Sequence, residues 1–294
     1  MFLVKKIKKG VIAAAGRGTR FLPAIKGYPK ELVPILGKPN IQYLVEELIG
    51  AGIGEIAIVH RHGNSMLKRY FTPDLELENY LKKTGKENFL DSLRQIWKKA
   101  KIRFIPQSPR LPYGNATPIL AAKGFIGSDP FIYLYGDDLI LEKKTGGYLR
   151  HLIEIFEKYQ PAIAAGAIKV PLKAVSSLSS VKYAKDKKYL HRVERVIEKP
   201  SPAQVYSNVS LIGRFVVSSK IFPILAEQKI ARGELWFTDA VNTLARQNVV
   251  IAEPVLKGKW LTTGDPFRWL KANIEFGLKD KNISQELKKF LRSL

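Results

Sequence analysis

The segment AAAGRGTRFLPAIKGYPKELVP, residues 13–34, restricts the fold more than any other stretch of the chain. It starts inside a short apolar run, VIAAAG over residues 11–16, which reads as a buried strand, and two glycines then bracket Arg17. Open α/β sheets bind their ligands at such C-terminal strand edges. A Gly16-Arg17-Gly18 turn lets backbone N–H groups approach phosphate oxygens with no Cβ in the way, and Arg20 and Lys30 follow as side-chain cations. Two common phosphate patterns do not fit. The dinucleotide fingerprint requires a third glycine where Phe21 stands, and the Walker pattern requires Gly-Lys followed by Ser or Thr.

Downstream, apolar runs alternate with helical patterns, which predicts an α/β fold with a mainly parallel sheet flanked by helices. Strands are expected at residues 55–60, 102–106 and 131–138, the last reading FIYLYGDD. Helices are expected from Ile41 to a glycine stop, as two or three pieces across residues 66–99, and over residues 147–159. The second half changes character. AIAAGAIKV, KKYLHRVERVIEKP and NVSLIGRFVV read as longer strands with charged alternation, predicting a partly antiparallel extension of the sheet. Residues 267–294 read as two terminal helices, and no linker or repeat divides the chain. One domain is expected over 1–294, its two halves meeting at about residues 147–148.

Composition removes whole classes of chemistry. With no Cys among 294 residues there is no thiolate nucleophile, disulfide framework or Cys-ligated metal. No apolar run is long enough to span a membrane and no secretory pattern opens the chain, so a cytoplasmic protein without a membrane partner is expected. The net charge of +23 raises nucleic-acid binding as a possibility. Its lysine clusters (Lys5, Lys6, Lys8 and Lys9; Lys98, Lys99 and Lys101; Lys182, Lys185, Lys187 and Lys188) lack interleaved aromatics, so they read as solvated surface and no specific nucleic-acid partner is expected. His60 and His62 have no further ligand nearby in sequence and read as loop or core residues.

Once Thr19, Arg20, Pro23, Pro29, Lys30 and Glu31 are added to the glycines, the segment resembles the signature of the sugar-phosphate nucleotidyltransferases, specifically the UTP–glucose-1-phosphate uridylyltransferases. The resemblance continues in order through residues 71–93, QSPRLPYGNA, YGDDLI, VIEKPSPAQVYSNVSLIGRF, GELWFTDA and GKWLTTGDP, over nearly the full chain. It implies a Rossmann-like fold, Mg²⁺ dependence, UTP and a sugar 1-phosphate as substrates, a nucleotide-binding half at about 1–147, a sugar-binding and oligomerisation half at about 148–294, and a homo-oligomer, dimer or tetramer. In the implied reaction a phosphate oxygen already ionised at neutral pH attacks the α-phosphorus in line, so cations and a metal matter more than a general base.

By the same resemblance Arg20 neutralises the departing pyrophosphate, Lys30 sits at the α- and β-phosphates, and Lys199 holds the sugar's phosphate beside Glu198, which accepts from sugar hydroxyls. Ala13, Ala14, Gly16, Gly18, Thr19 and Glu31 belong to the nucleotide loop, while Gln107 and Gly114 meet the uracil edge. Asp137 coordinates Mg²⁺; for Asp138, the ordinary local use of such a carboxylate, capping the next turn, is expected. Departures gather at the sugar and the metal. Thr262 stands where the family has a second metal-binding Asp, so that either Asp265 or Asp138 compensates or activity is low. Ser179 and Ser180 replace a Tyr-Gly pair, so a Ser180 side chain is expected against the sugar. Ile25, Asn115 and Trp236 replace a common Thr, His and Gln. A transferase using dTTP or another sugar 1-phosphate, and a noncatalytic nucleotide-sugar-binding paralogue, are the alternatives.

Overall fold

The computed structural model describes residues 6–231, 233–255 and 257–294; Lys5 of the N-terminal cluster lies outside them. In chain order the strands are β1 (Lys9–Ala14), β2 (Pro34–Ile35), β3 (Lys38–Pro39), β4 (Glu55–Arg61), β5 (Lys101–Gln107), β6 (Phe131–Tyr135) and β7 (Asp138–Leu141). They continue as β8 (Ile163–Lys169), β9 (Ser179–Tyr183), β10 (Val193–Glu198), β11 (Val209–Val217), β12 (Val250–Pro254) and β13 (Lys259–Thr262). Seven of them form the central sheet in the order β12-β8-β11-β6-β1-β4-β5.

β1 runs parallel to both β4 and β6, and β4 runs parallel to β5. β1, β4 and β6 are largely apolar on both faces, as burial beneath two helical layers demands, whereas the edge strand β5 exposes Lys101 and Arg103. On β1, Ile12 enters one core with Leu44, Ile58 and Leu134, while Val11 enters the other with Val59, Tyr133 and Phe215. The expected antiparallel extension is β11, which opposes both β6 and β8 before β12 resumes parallel pairing at the edge.

Helices form where the sequence pattern asks for them. Asn40–Gly50 and Gly147–Tyr159 match the expected helices, and residues 66–99 hold Met66–Phe71, Leu75–Lys83 and Asp91–Lys99. The tail folds as Pro266–Gly277 and Ser284–Ser293.

Two expected strands come out shorter. FIYLYGDD breaks after Tyr135 because Gly136 presses its backbone onto β1, where a Cβ would fall 2.3 Å from the Ala13 carbonyl oxygen. Asn40 Nδ2 donates to the Gly136 carbonyl from the neighbouring helix, fixing the turn. The chain then leaves the sheet as β7, which pairs antiparallel with β13 and sets Asp138 opposite Thr262. In KKYLHRVERVIEKP only β10 is strand, since Asp186 Oδ1 accepts from the backbone N–H groups of Lys188 and Tyr189 and closes a local turn instead.

Candidate active site

A cleft of about 400 Å³ opens at the C-terminal ends of β1, β5 and β6. Ala13, Gly16, Arg20, Lys30, Glu31 and Gln107 line it from the first half of the chain. Gly114, Asp137, Glu198, Lys199 and Thr262 line it as well, so the structure gathers residues far apart in sequence. Ala14 and Thr19 instead line a second cavity of about 240 Å³ behind the glycine turn, with Gly16 contributing to both.

The turn itself requires its glycine. Gly18 sits at φ 62, and a Cβ there would lie 2.3 Å from Ile25 Cδ1. Gly18 therefore packs the turn onto Ile25 and leaves Gly16 facing the cleft beside the Lys30 side chain, 3.3 Å from where its Cβ would be.

Electrostatics centre on Lys30 and Asp137. Lys30 Nζ donates to Asp137 Oδ2 at 2.6 Å, bridging the loop after β1 and the turn after β6. Burial disfavours both charges, yet each overcomes it for the other: Lys30 is held above its ordinary value and Asp137 below. Asp137 Oδ2, Arg20 Nη1 and Thr262 Oγ1 converge at Gly264, lying 3.1, 3.3 and 3.5 Å from the point a Cβ would occupy there. A residue with a side chain at 264 would fill the space where these three groups meet.

Asp138 does not cap a turn. Its Oδ2 accepts from Gly213 N–H at 2.8 Å, tying β7 to β11, and burial followed by the Asp137 charge raises its pKa to about 6. Asp265 caps the helix Pro266–Gly277 by accepting from Arg268 N–H at 2.9 Å, which occupies the carboxylate expected to compensate for Thr262. Ser180 is fully buried. Its hydroxyl donates to the Ser207 carbonyl and accepts from the N–H groups of Tyr206 and Ser207, so the side chain turns into the β9 region rather than towards a sugar. Ser179 is the member of the pair that borders the cleft.

Two side chains that line the cleft carry buried acceptors without a partner. Gln107 Oε1 is buried and unpaired at the end of β5, as are both carboxylate oxygens of Glu31. Buried polar atoms are almost always satisfied, so these point to groups on a ligand. Burial raises Glu31 to about 7 against the opposing field of Lys30, and burial likewise raises Glu198 to about 7 against Lys199.

The carboxylate of Asp137 and the hydroxyl of Thr262 are the oxygens here that would suit a hard divalent cation. Among the described residues no group of three or more His, Cys, Asp or Glu side chains is placed to hold a metal by itself. The structure also adds residues that sequence reasoning did not place at the site. Tyr135 and Arg268 border the cleft. Behind it Arg214, fully buried, makes two 2.7 Å bonds to Glu47 and one to the Asp138 carbonyl. The only sequence signal for Arg214 was a lone basic residue inside an apolar strand, which gives no hint of its distant partner.

A glycine turn at a sheet edge, flanked by two cations and facing a carboxylate, is suited to binding phosphate groups. The nucleotidyl transferase family model matches residues 9–276, and the chain belongs to that family. It is 35% identical over 293 residues to the UTP–glucose-1-phosphate uridylyltransferase YngB of Bacillus subtilis, covering 99% of this chain and 96% of the relative. It is 36% identical over 293 residues to UTP–glucose-1-phosphate uridylyltransferase 2 of Streptococcus pyogenes serotype M3, with 98% and 96% covered. Such identity over nearly whole chains places it within the uridylyltransferase branch. Among solved structures, a UDP-glucose pyrophosphorylase complexed with UDP-glucose matches with TM-score 0.83 at 33% identity, over 93% of this chain and 100% of that one. A UTP-bound enzyme of this kind from Acinetobacter baumannii matches with TM-score 0.86 at 30% identity, over 98% and 99%.

Proposed function

We propose that the chain condenses UTP with glucose 1-phosphate, giving UDP-glucose and pyrophosphate. A phosphate oxygen of the sugar phosphate bonds to the α-phosphorus as the bond to the bridging oxygen of the β-phosphate breaks, so the charge leaves on pyrophosphate. The observation that carries this reading is the Lys30–Asp137 pair at 2.6 Å with Arg20 converging on the same point at Gly264. Fixed cations at that place lower the repulsion between two polyanions and stabilise charge on the departing group.

The remaining roles are those the resemblance implies, supported by the residues sharing one cleft. Lys30 meets the α- and β-phosphates, Arg20 the pyrophosphate, and Lys199 the sugar's phosphate beside Glu198. The unpaired Gln107 Oε1 suits the N–H of a uracil edge, and Ala13, Gly16 and Gly114 let the base approach. Glu31 supplies a second buried acceptor beside the nucleotide. Mg²⁺, held by Asp137 and Thr262, supplies further neutralisation of phosphate charge when bound. Assembly into a dimer or tetramer in the cytoplasm belongs to the same reading.

The test is pyrophosphate release with UTP, dTTP, CTP, ATP and GTP, each crossed with several sugar 1-phosphates in the presence of Mg²⁺ or Mn²⁺. The expected result is fastest release with UTP and glucose 1-phosphate. Faster release with dTTP or another sugar corrects the substrate pair, and release with none points to a binding protein.

A further inference from the structure

Lys199 is held in an unusual way. Its backbone adopts φ 45, a left-handed conformation that costs energy for a residue with a side chain and persists only where neighbours enforce it. The Lys199 N–H donates to the Leu178 carbonyl at 2.7 Å, which locks the position of the residue. No carboxylate lies within ion-pair distance of its ammonium among the described residues. Instead the ammonium stands over the indole of Trp236, 4.8 Å from the ring centroid.

Trp236 is itself rigid. Its Nε1–H donates to the Ala231 carbonyl at 3.1 Å, and its own carbonyl accepts from Gln228 Nε2 at 2.8 Å. The residues on either side are bonded to the loop that carries Gly114: Leu235 N–H donates to Tyr113 O at 2.7 Å, and Asn115 Oδ1 accepts from Phe237 N–H at 2.7 Å. The indole is therefore a fixed wall of the cleft, and its electron-rich face attracts a cation.

We propose that Trp236 is a positioning residue for the second substrate: its ring fixes the Lys199 ammonium inside the cleft, ready for the phosphate of the sugar 1-phosphate. A lysine has four rotatable bonds and an exposed ammonium samples many positions; ordering it beforehand removes part of the entropic cost of binding. The inference rests on the reading that Lys199 meets that phosphate.

The experiment compares Trp236→Gln, Trp236→Phe, Lys199→Met and the double variant Trp236→Gln/Lys199→Met, measuring KM for glucose 1-phosphate and for UTP separately. Trp236→Gln removes the ring face and should raise KM for the sugar phosphate by about five- to tenfold while leaving KM for UTP near its original value. Trp236→Phe keeps a ring without the N–H and should recover most of the loss. If Trp236 acts through Lys199, Trp236→Gln adds nothing once Lys199 is Met.

An unchanged or lowered sugar-phosphate KM in Trp236→Gln overturns the inference, and so does an equal effect of that change in the Lys199→Met background. A normal sugar-phosphate KM in Lys199→Met itself removes the underlying assignment of Lys199 and the inference with it.

Discussion

At the residue scale the site consists of charges that are stable only in each other's company. Lys30 and Asp137 are both half-buried and paired at 2.6 Å, so neither keeps its position for phosphate if the other is lost. Lys30→Ala and Asp137→Asn are each expected to lower turnover by more than about tenfold with the circular dichroism spectrum unchanged. Near-normal turnover in both contradicts their roles. Glu31 leads to a prediction about pH. The unfolded chain gives up this proton near 4.5, whereas burial holds it in the folded protein until about 7. Between those values the folded state binds more protons, so stability is greatest below the lower value and falls as pH rises through the upper one. Asp138, at about 6, and Glu198, at about 7, act with the same sign. In ligand-free protein Glu31→Gln should therefore reduce, without abolishing, the fall in Tm between about pH 5 and 7.5. An identical slope in wild type and variant would rule out Glu31 as a contributor.

At the scale of elements, the cleft depends on places where backbone meets backbone. Gly114 has φ 148, and a Cβ there would fall 2.3 Å from the Leu235 carbonyl oxygen and 2.4 Å from its nitrogen. Neither loop segment of this contact can retreat, because Leu235 N–H is bonded to Tyr113 O and Ala116 N–H to Leu235 O. Gly114→Ala should weaken uridine nucleotide binding by more than about tenfold and lower Tm by several degrees, each checked directly by titration and by thermal melting. Wild-type affinity in the variant would mean that the loop tolerates displacement. The glycine was legible in the sequence as part of PYGNA, but its contact with Leu235 was not. The same division runs through the fold. β1, β4 and β6 could be read because strands buried on both faces are continuous apolar runs. The break after Tyr135 could not, since an apolar run carries no record of Gly136 closing onto a neighbouring strand. Ser180 shows a further limit: alignment put its side chain against the sugar, whereas its hydroxyl is saturated by Ser207 and Tyr206, residues that only the paired strands bring near.

On the scale of the whole molecule, a net charge of +23 surrounds a cleft whose proposed substrates are both polyanions. The two sources of positive charge should respond differently to salt. Lys30 is paired and partly buried, so mobile ions screen it weakly, whereas the exposed lysines act through solvent over a Debye length that falls from about 10 Å at 0.1 M to about 3 Å at 1 M salt. The distributed charge can hasten the arrival of UTP, but it has no close contact that strengthens during bond transfer. Raising NaCl from about 0.05 to 0.5 M should therefore lower kcat/KM for UTP several-fold while kcat changes by less than about twofold. Substituting Ser for solvent-exposed lysines that do not line the cleft, such as Lys185, Lys187 and Lys188 together, should flatten that salt dependence and leave kcat alone. A kcat that falls in step with kcat/KM would place the salt-sensitive charges at the reacting phosphates themselves, and the surface lysines would then have no part in capture.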